Sequence, residues 1–178
     1  MAEKNVNRLI VLSPSETVEG IISSMDIINY LGGGDKFNII LTRHKGNFYR
    51  SLEEPIETIM NITVIKAYLD EKLSDLLEKM VKYNVGAIPV VTREDRLYGI
   101  ISEWDIVSYM SELITGKKVE DYMTREVVYI KSSATLKETM EVMVKSGFRR
   151  LPVVEDSIVK GIVVAKDIVH FFGSGEAY

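Results

Sequence analysis

One eleven-residue frame occurs three times in this chain. Gly20 to Tyr30 reads GIISSMDIINY, Gly99 to Tyr109 reads GIISEWDIVSY, and Gly161 to Phe171 reads GIVVAKDIVHF. The frame is Gly, five residues, Asp, Ile, an aliphatic, a variable residue and an aromatic. Internal repetition constrains a fold more than composition does, because each copy must build the same unit. Aligning the copies extends the match outward. Pro89 and Pro152 correspond, as do Leu73 and Leu136, and Met60 and Met123, at a constant offset of 63 residues. Two full repeats and the back half of a third account for most of the chain.

One repeat reads as a short helical lead-in ending at the methionine, then a strand, Ile62 to Lys66 in one copy and Val127 to Ile130 in the other. Leu73, Leu76, Leu77, Met80 and Val81 follow at i, i+3, i+4, i+7 and i+8, one face of a helix. The same face in the last copy is Leu136, Thr139, Met140, Met143 and Val144. Asp70 and Ser133 are the expected N-caps. AIPVV and LYGII, separated by the polar turn Thr92 to Asp95, form a hairpin signal. A second helix starts near Asp105. The expected unit is strand, helix, strand, strand, helix.

In the first copy RLIVL (Arg8 to Leu12) starts the hairpin, and the lead-in, first strand and first helix have no counterpart. A half-repeat exposes a sheet edge. The expectation is a fragment of a longer protein, or completion by another chain. Gly32, Gly33 and Gly34 should end a helix. Residues 32–54 break the period. They read as a solvated connector packed by Phe37, Ile39, Ile40 and Phe48, and locally basic through Arg43, His44, Lys45 and Arg50. The last helices are apolar on several sides, through Ile106, Val107, Tyr109, Met110, Leu113 and Ile114 in one and Ile168, Val169, Phe171 and Phe172 in the other. They should pack on more than one neighbour, a second chain included.

Composition closes off several functions. A net charge of -4 argues against a general phosphate-backbone binder, so nucleic acid is not an expected partner. Without cysteine there is no disulfide, thiolate zinc site or cysteine nucleophile. His44 and His170 have no acid or nucleophile at a recognisable spacing, so no catalytic or metal role is assigned. There is no apolar run of membrane-spanning length and no signal peptide, which makes a cytoplasmic protein the expectation.

The order of elements, the Ile-Met lead-in, the proline strand and Gly-x-x-Ser-x-x-Asp-Ile resemble the cystathionine-β-synthase (CBS) domain. The resemblance implies an α+β fold: tandem CBS repeats at residues 55–115 and 116–174, packed as a pseudo-two-fold module. A partial repeat at 1–31 and a connector at 32–54 precede them, as in archaeal proteins with four such repeats. It further implies a regulatory module, not an enzyme, that needs no cofactor. Its clefts between repeats would take AMP, ADP, ATP or S-adenosylmethionine. Ser102 at the strand end and Asp105 in the first helical turn match the family's phosphate and ribose contacts. A helix start suits phosphate, and a carboxylate suits ribose hydroxyls. Ser-x-x-Asp is equally a capping box, which would only hold the helix. Ser23 and Asp26 repeat the pair in the partial copy.

In the last copy Val164 replaces the serine while Asp167 is kept, leaving Arg149 and Arg150 as phosphate partners or as a solvated start of a strand. Gly86 and Ala87 are small where an adenine would approach backbone, and Thr63, Val64 and Val127 would line the clefts. Trp104 is read as packing or as a base-stacking group. The reading from a different class is a ligand-free module that only dimerises its chain.

Overall fold

A computed structural model describes residues 1, 3–4, 6–111, 118–121 and 123–173. The half-copy consists of β1 (Arg8–Leu12) and β2 (Val18–Ser23), paired as a two-stranded sheet, then α1 (Ser24–Leu31). The connector folds into α2 (Phe37–Arg43) and α3 (Phe48–Ser51), and α4 (Ile56–Ile59) is the lead-in helix. The first full repeat runs β3 (Ala67–Tyr68), α5 (Leu73–Lys82), β4 (Ala87–Val91), β5 (Leu97–Ser102), α6 (Glu103–Ser111). After a 3₁₀ turn at Val119–Asp121 the second runs β6 (Ile130–Lys131), α7 (Leu136–Ser146), β7 (Arg150–Glu155), β8 (Ile158–Val164), α8 (Ala165–Gly173). Both full repeats are thus β-α-β-β-α, as the repeat pattern predicts. In each sheet a short parallel strand flanks an antiparallel pair: Ala67 faces Val90 and Ile130 faces Val153.

The chain forms two compact units that cut across the repeats. One comprises Met1–Leu9, Ile22–Met60 and Glu126–Tyr178; the other comprises Ile10–Ile21 and Asn61–Arg125. In the first, Ile28 of α1 joins Met140 and Met143 of α7, Leu151 of β7 and Ile168 of α8 in one core. The helix of the half-copy therefore packs on both helices of the last repeat. A second cluster of Ile22, Tyr30, Ile40 and Ile59 packs the connector, and the Tyr30 hydroxyl donates to the Ser51 carbonyl at 2.8 Å. In the second unit Ala67, Leu76, Met80 and Ile88 form the core, with Ile106 of α6 against it. The Lys66 ammonium there holds the Asp95 carboxylate at 2.6 Å and the Val18 carbonyl at 3.2 Å.

Several expectations need correction. The first strands begin later than predicted. Asn61 exchanges backbone hydrogen bonds with Ile21, and the Thr63 and Val64 amides bond to Asn61 Oδ1 and the Ile62 carbonyl. Residues 62–66 are thereby taken up locally, and only Ala67–Tyr68 reach β4; likewise 127–129 stay outside β6. Asp70 does not cap α5, whose N-cap is Lys72. Its carboxylate accepts from Arg93 at 2.5 Å, which holds it below the usual carboxylate range. The cap of α7 is Thr135, in a reciprocal box with Glu138, rather than Ser133. Leu73 and Val81 of the predicted apolar face are exposed, and α6 starts at Glu103. Leu113 and Ile114 lie outside the described residues.

The connector is helical, and two of its basic side chains already have an internal partner. Glu54, with its side chain 5 % exposed, accepts from His44 at 2.6 Å and Arg43 at 2.7 Å. Burial alone would push this carboxyl up; hydrogen bonds from His44, Thr58 and Arg43 outweigh it and hold the group below its ordinary value. Arg43 and His44 are thus engaged within the connector.

Gly32 closes α1 where it meets α7. A Cβ there would stand 2.7 Å from the Ile28 carbonyl oxygen and 2.7 Å from Met140 Cβ. Gly32→Ala should destabilise the protein by about 1–3 kcal/mol, as overpacking does. Met143→Ala, which empties a fully buried site, should cost about 2–5 kcal/mol. Urea denaturation, with midpoints falling at unchanged slope, checks both.

Candidate functional site

Each copy makes the same corner. The backbone N–H at the helix start donates to the carbonyl of the residue just before the middle strand: Ser24 to Asn7 at 3.0 Å, Glu103 to Gly86 at 3.1 Å and Ala165 to Arg149 at 2.8 Å. In the second unit antiparallel pairing sets Ala87 opposite Ser102. Four predicted residues, Gly86, Ala87, Ser102 and Asp105, are thus brought to one end of one sheet. Ala87 is buried, Ser102 half-buried and Asp105 exposed. Thr63 and Val64 precede β3. Continued from Ala67 opposite Val90, that register would set Thr63 level with Gly86, although Thr63 is not in the ladder.

The first unit repeats the arrangement with different chemistry. Arg150 lies opposite Val164, and Asp167 sits exposed in the first turn of α8. Extending the pairing of Ile130 with Val153 would set Val127 level with Arg150. Val164 has no hydroxyl to offer either Asp167 or an anion.

At Ser102 one half of a capping box is present. Asp105 Oδ2 accepts from the Ser102 hydroxyl at 2.6 Å and from its backbone N–H at 2.8 Å. The hydroxyl first, then the backbone, hold the Asp105 carboxyl below its ordinary value of 3.8. Ser23 and Asp26 make the same bonds at 2.6 and 2.8 Å, and Lys36 lies 3.6 Å from Asp26.

The sequence reading missed Glu103. A Cβ on Gly86 would fall 2.8 Å from the Glu103 carboxyl carbon and from both its oxygens. The space expected to admit an adenine is therefore covered by this carboxylate, the flexible end of an exposed side chain. Nothing in the repeat marks it, since the position holds Ser, Glu and Ala in the three copies. A pocket of about 180 Å³ in the same unit, bordered by Tyr68, Val91 and Arg93, lies at the opposite end of the sheet from Ser102. Among the described residues no three His, Asp or Glu side chains converge as metal ligands, and no helix is long and apolar enough to cross a membrane.

Comparison with known proteins extends these observations. The model of the CBS domain matches residues 56–112 and 119–174. An uncharacterised protein of Methanocaldococcus jannaschii, MJ1225, is 36 % identical over the whole chain. An uncharacterised 33.4 kDa protein from the ribosomal RNA operon of Thermofilum pendens is 30 % identical over 96 % of it. The chain spans 64 % and 57 % of the length of these relatives. The crystal structure of MJ1225, described as a proposed archaeal homologue of g-AMPK, superimposes with a TM-score of 0.91 at 35 % identity. That match covers 98 % of this chain and 64 % of the other.

Ser102→Ala removes the hydroxyl bond to Asp105 at the start of α6 and should cost about 0.5–1.5 kcal/mol. Because the Asp105 carboxyl is lowered on folding, its contribution is complete above pH 3.8 and is lost as pH falls through the lowered value. Denaturation profiles of wild type and Asp105→Asn should therefore converge on acidification below that pH.

Proposed function

The chain belongs to the CBS domain family, and we propose that it is a regulatory, non-catalytic module that binds an adenosine-containing ligand, AMP, ADP or ATP. The observation that carries this reading is the corner at Ser102. There a hydroxyl, a helix start and a carboxylate stand together beside the small residues Gly86 and Ala87. The N–H groups and hydroxyl suit phosphate, and Asp105 suits the paired hydroxyls of a ribose. Thr63 and Val64 supply further wall. In the first unit Asp167 offers the ribose contact, Val127 a wall, and Arg149 and Arg150 the positive charge that Val164 cannot replace. The relative described as a proposed homologue of g-AMPK supports a nucleotide-sensing role.

Binding would regulate by favouring one arrangement of a larger assembly, which requires unequal affinity for two states. A second reading, S-adenosylmethionine, is favoured by the acidic first turn of α6, where Glu103 and Asp105 repel polyphosphate and attract a sulfonium. The ligand-free reading is favoured by the Ser102–Asp105 bonds, which already satisfy both groups.

Thermal denaturation with AMP, ADP, ATP, S-adenosylmethionine and a guanine nucleotide separates these readings. A ligand at a hundred times its Kd stabilises the fold by ~2.7 kcal/mol. A raised midpoint with adenosine ligands alone is expected, and it should disappear in Asp105→Ala. No shift with any of them would leave the pairing module. Arg150→Ala should weaken ATP more than adenosine in titration calorimetry; equal losses would place its guanidinium away from the phosphates.

A further inference from the structure

The three corners share one hydrogen bond and differ in what stands across it. The residue before the middle strand and the first residue of the helix are Asn7 and Ser24 in the half-copy, Gly86 and Glu103 in the first full repeat, and Arg149 and Ala165 in the last. In the two full repeats a large residue stands opposite a small one. At Gly86 the strand side is bare, and the helix side brings a carboxylate over it: a Cβ there would stand 2.8 Å from both Glu103 oxygens. At Ala165 the helix side is small and buried, and the strand side brings the half-buried Arg149. Charge follows size. Residues 86–87 and 102–105 hold two acids, Glu103 and Asp105, and no base. The matching residues 149–150 and 164–167 hold three bases, Arg149, Arg150 and Lys166, and one acid, Asp167. One backbone geometry therefore carries opposite charge in the two full repeats.

We infer that Glu103, seated over Gly86, sets the specificity of the Ser102 corner: it selects nucleosides whose 5′ group is neutral or cationic and disfavours polyphosphates. This selectivity rests on the ligand reading above and narrows it. A carboxylate at Asp105 accepts from ribose hydroxyls whatever the 5′ group carries, so the 5′ charge is judged by what surrounds it. Here the surroundings are two carboxylates in the first turn of α6. Ser102 holds the Asp105 carboxyl below its ordinary value through its hydroxyl and backbone, which keeps that charge in place. The donors that would serve a phosphate are turned to the same carboxylate, since the Ser102 hydroxyl and N–H both bond Asp105 Oδ2. Glu103 can swing off Gly86 to admit a base, because its carboxylate is the end of a flexible, exposed side chain. Its charge stays within a few ångströms of the corner, where like charges repel and a cation is attracted.

Trp104 follows Glu103, is exposed and is the single tryptophan of the sequence, so its emission reports on this corner. Three ligands share one nucleoside and differ in 5′ charge: 5′-amino-5′-deoxyadenosine, adenosine and ATP. Emission titrations at low salt should rank them in that order, the ammonium tightest. Glu103→Gln keeps the shape and removes the charge; it should raise ATP affinity relative to adenosine about three- to tenfold, with wild-type circular dichroism. Added salt should narrow the same gap in the wild type, because screening weakens charge and not packing. That arm needs no variant to fold. Adenosine binding with ATP equal or tighter, or a ratio unmoved by Glu103→Gln and by salt, would overturn the selectivity and leave the ligand reading standing. No response to any of the three, in emission or in melting midpoint, would overturn the ligand reading and the selectivity with it.

Discussion

The corner hydrogen bond between the start of the last helix and the residue before the middle strand is what the rest of each repeat depends on. It recurs at 3.0, 3.1 and 2.8 Å in three copies whose donors are Ser24, Glu103 and Ala165 and whose acceptors are Asn7, Gly86 and Arg149. Both partners are backbone groups, so the bond tolerates any side chain while fixing the angle at which helix leaves sheet. Once that angle is set, the Asp of the frame faces the strand end and the aliphatic after it faces the core. The conserved geometry and the variable chemistry of the three corners follow from the same bond.

That separation explains how one frame carries different side chains at its corners. Ser102 with Asp105 keeps a hydroxyl and a carboxylate at the helix start, whereas Val164 with Asp167 keeps only the carboxylate and sets Arg150 opposite. The capping bonds do not exclude a ligand. A hydrogen bond to a charged group contributes ~1.5–3 kcal/mol net, and a phosphate oxygen would offer the Ser102 hydroxyl a charged acceptor in exchange for Asp105. Glu103 is a larger obstacle to a polyanion, since its charge stays beside the site even when its side chain swings away from Gly86.

The same economy governs helix packing. A last helix apolar on two sides serves its own sheet with one side and a foreign helix pair with the other. For α1 the foreign pair is α7 and α8, and a close approach at Gly32 makes the contact tight. For α6 only the first of these two demands is met within its unit by the Ile106 anchor. The connector is organised by a different device, a nearly buried carboxylate shared by Arg43 and His44.

Local rules read from the sequence determined the repeat, the β-α-β-β-α order, the hairpin turn at Thr92 to Asp95 and the end of α1 at Gly32. All of these depend on residues close in the chain. The Ser102–Asp105 pair was legible for the same reason, as its hydrogen bonds span three residues. Only tertiary structure decided that residues 62–66 forgo the sheet for Asn61 and its turn, that Asp70 serves Arg93 instead of α5, and that Glu103 covers Gly86. It also decided that α1 of the half-copy packs on the helices of the last repeat. Each of these is a competition between a local partner and a distant one. Periodicity shows that a face is apolar but not which surface will cover it, because the hydrophobic effect is non-directional.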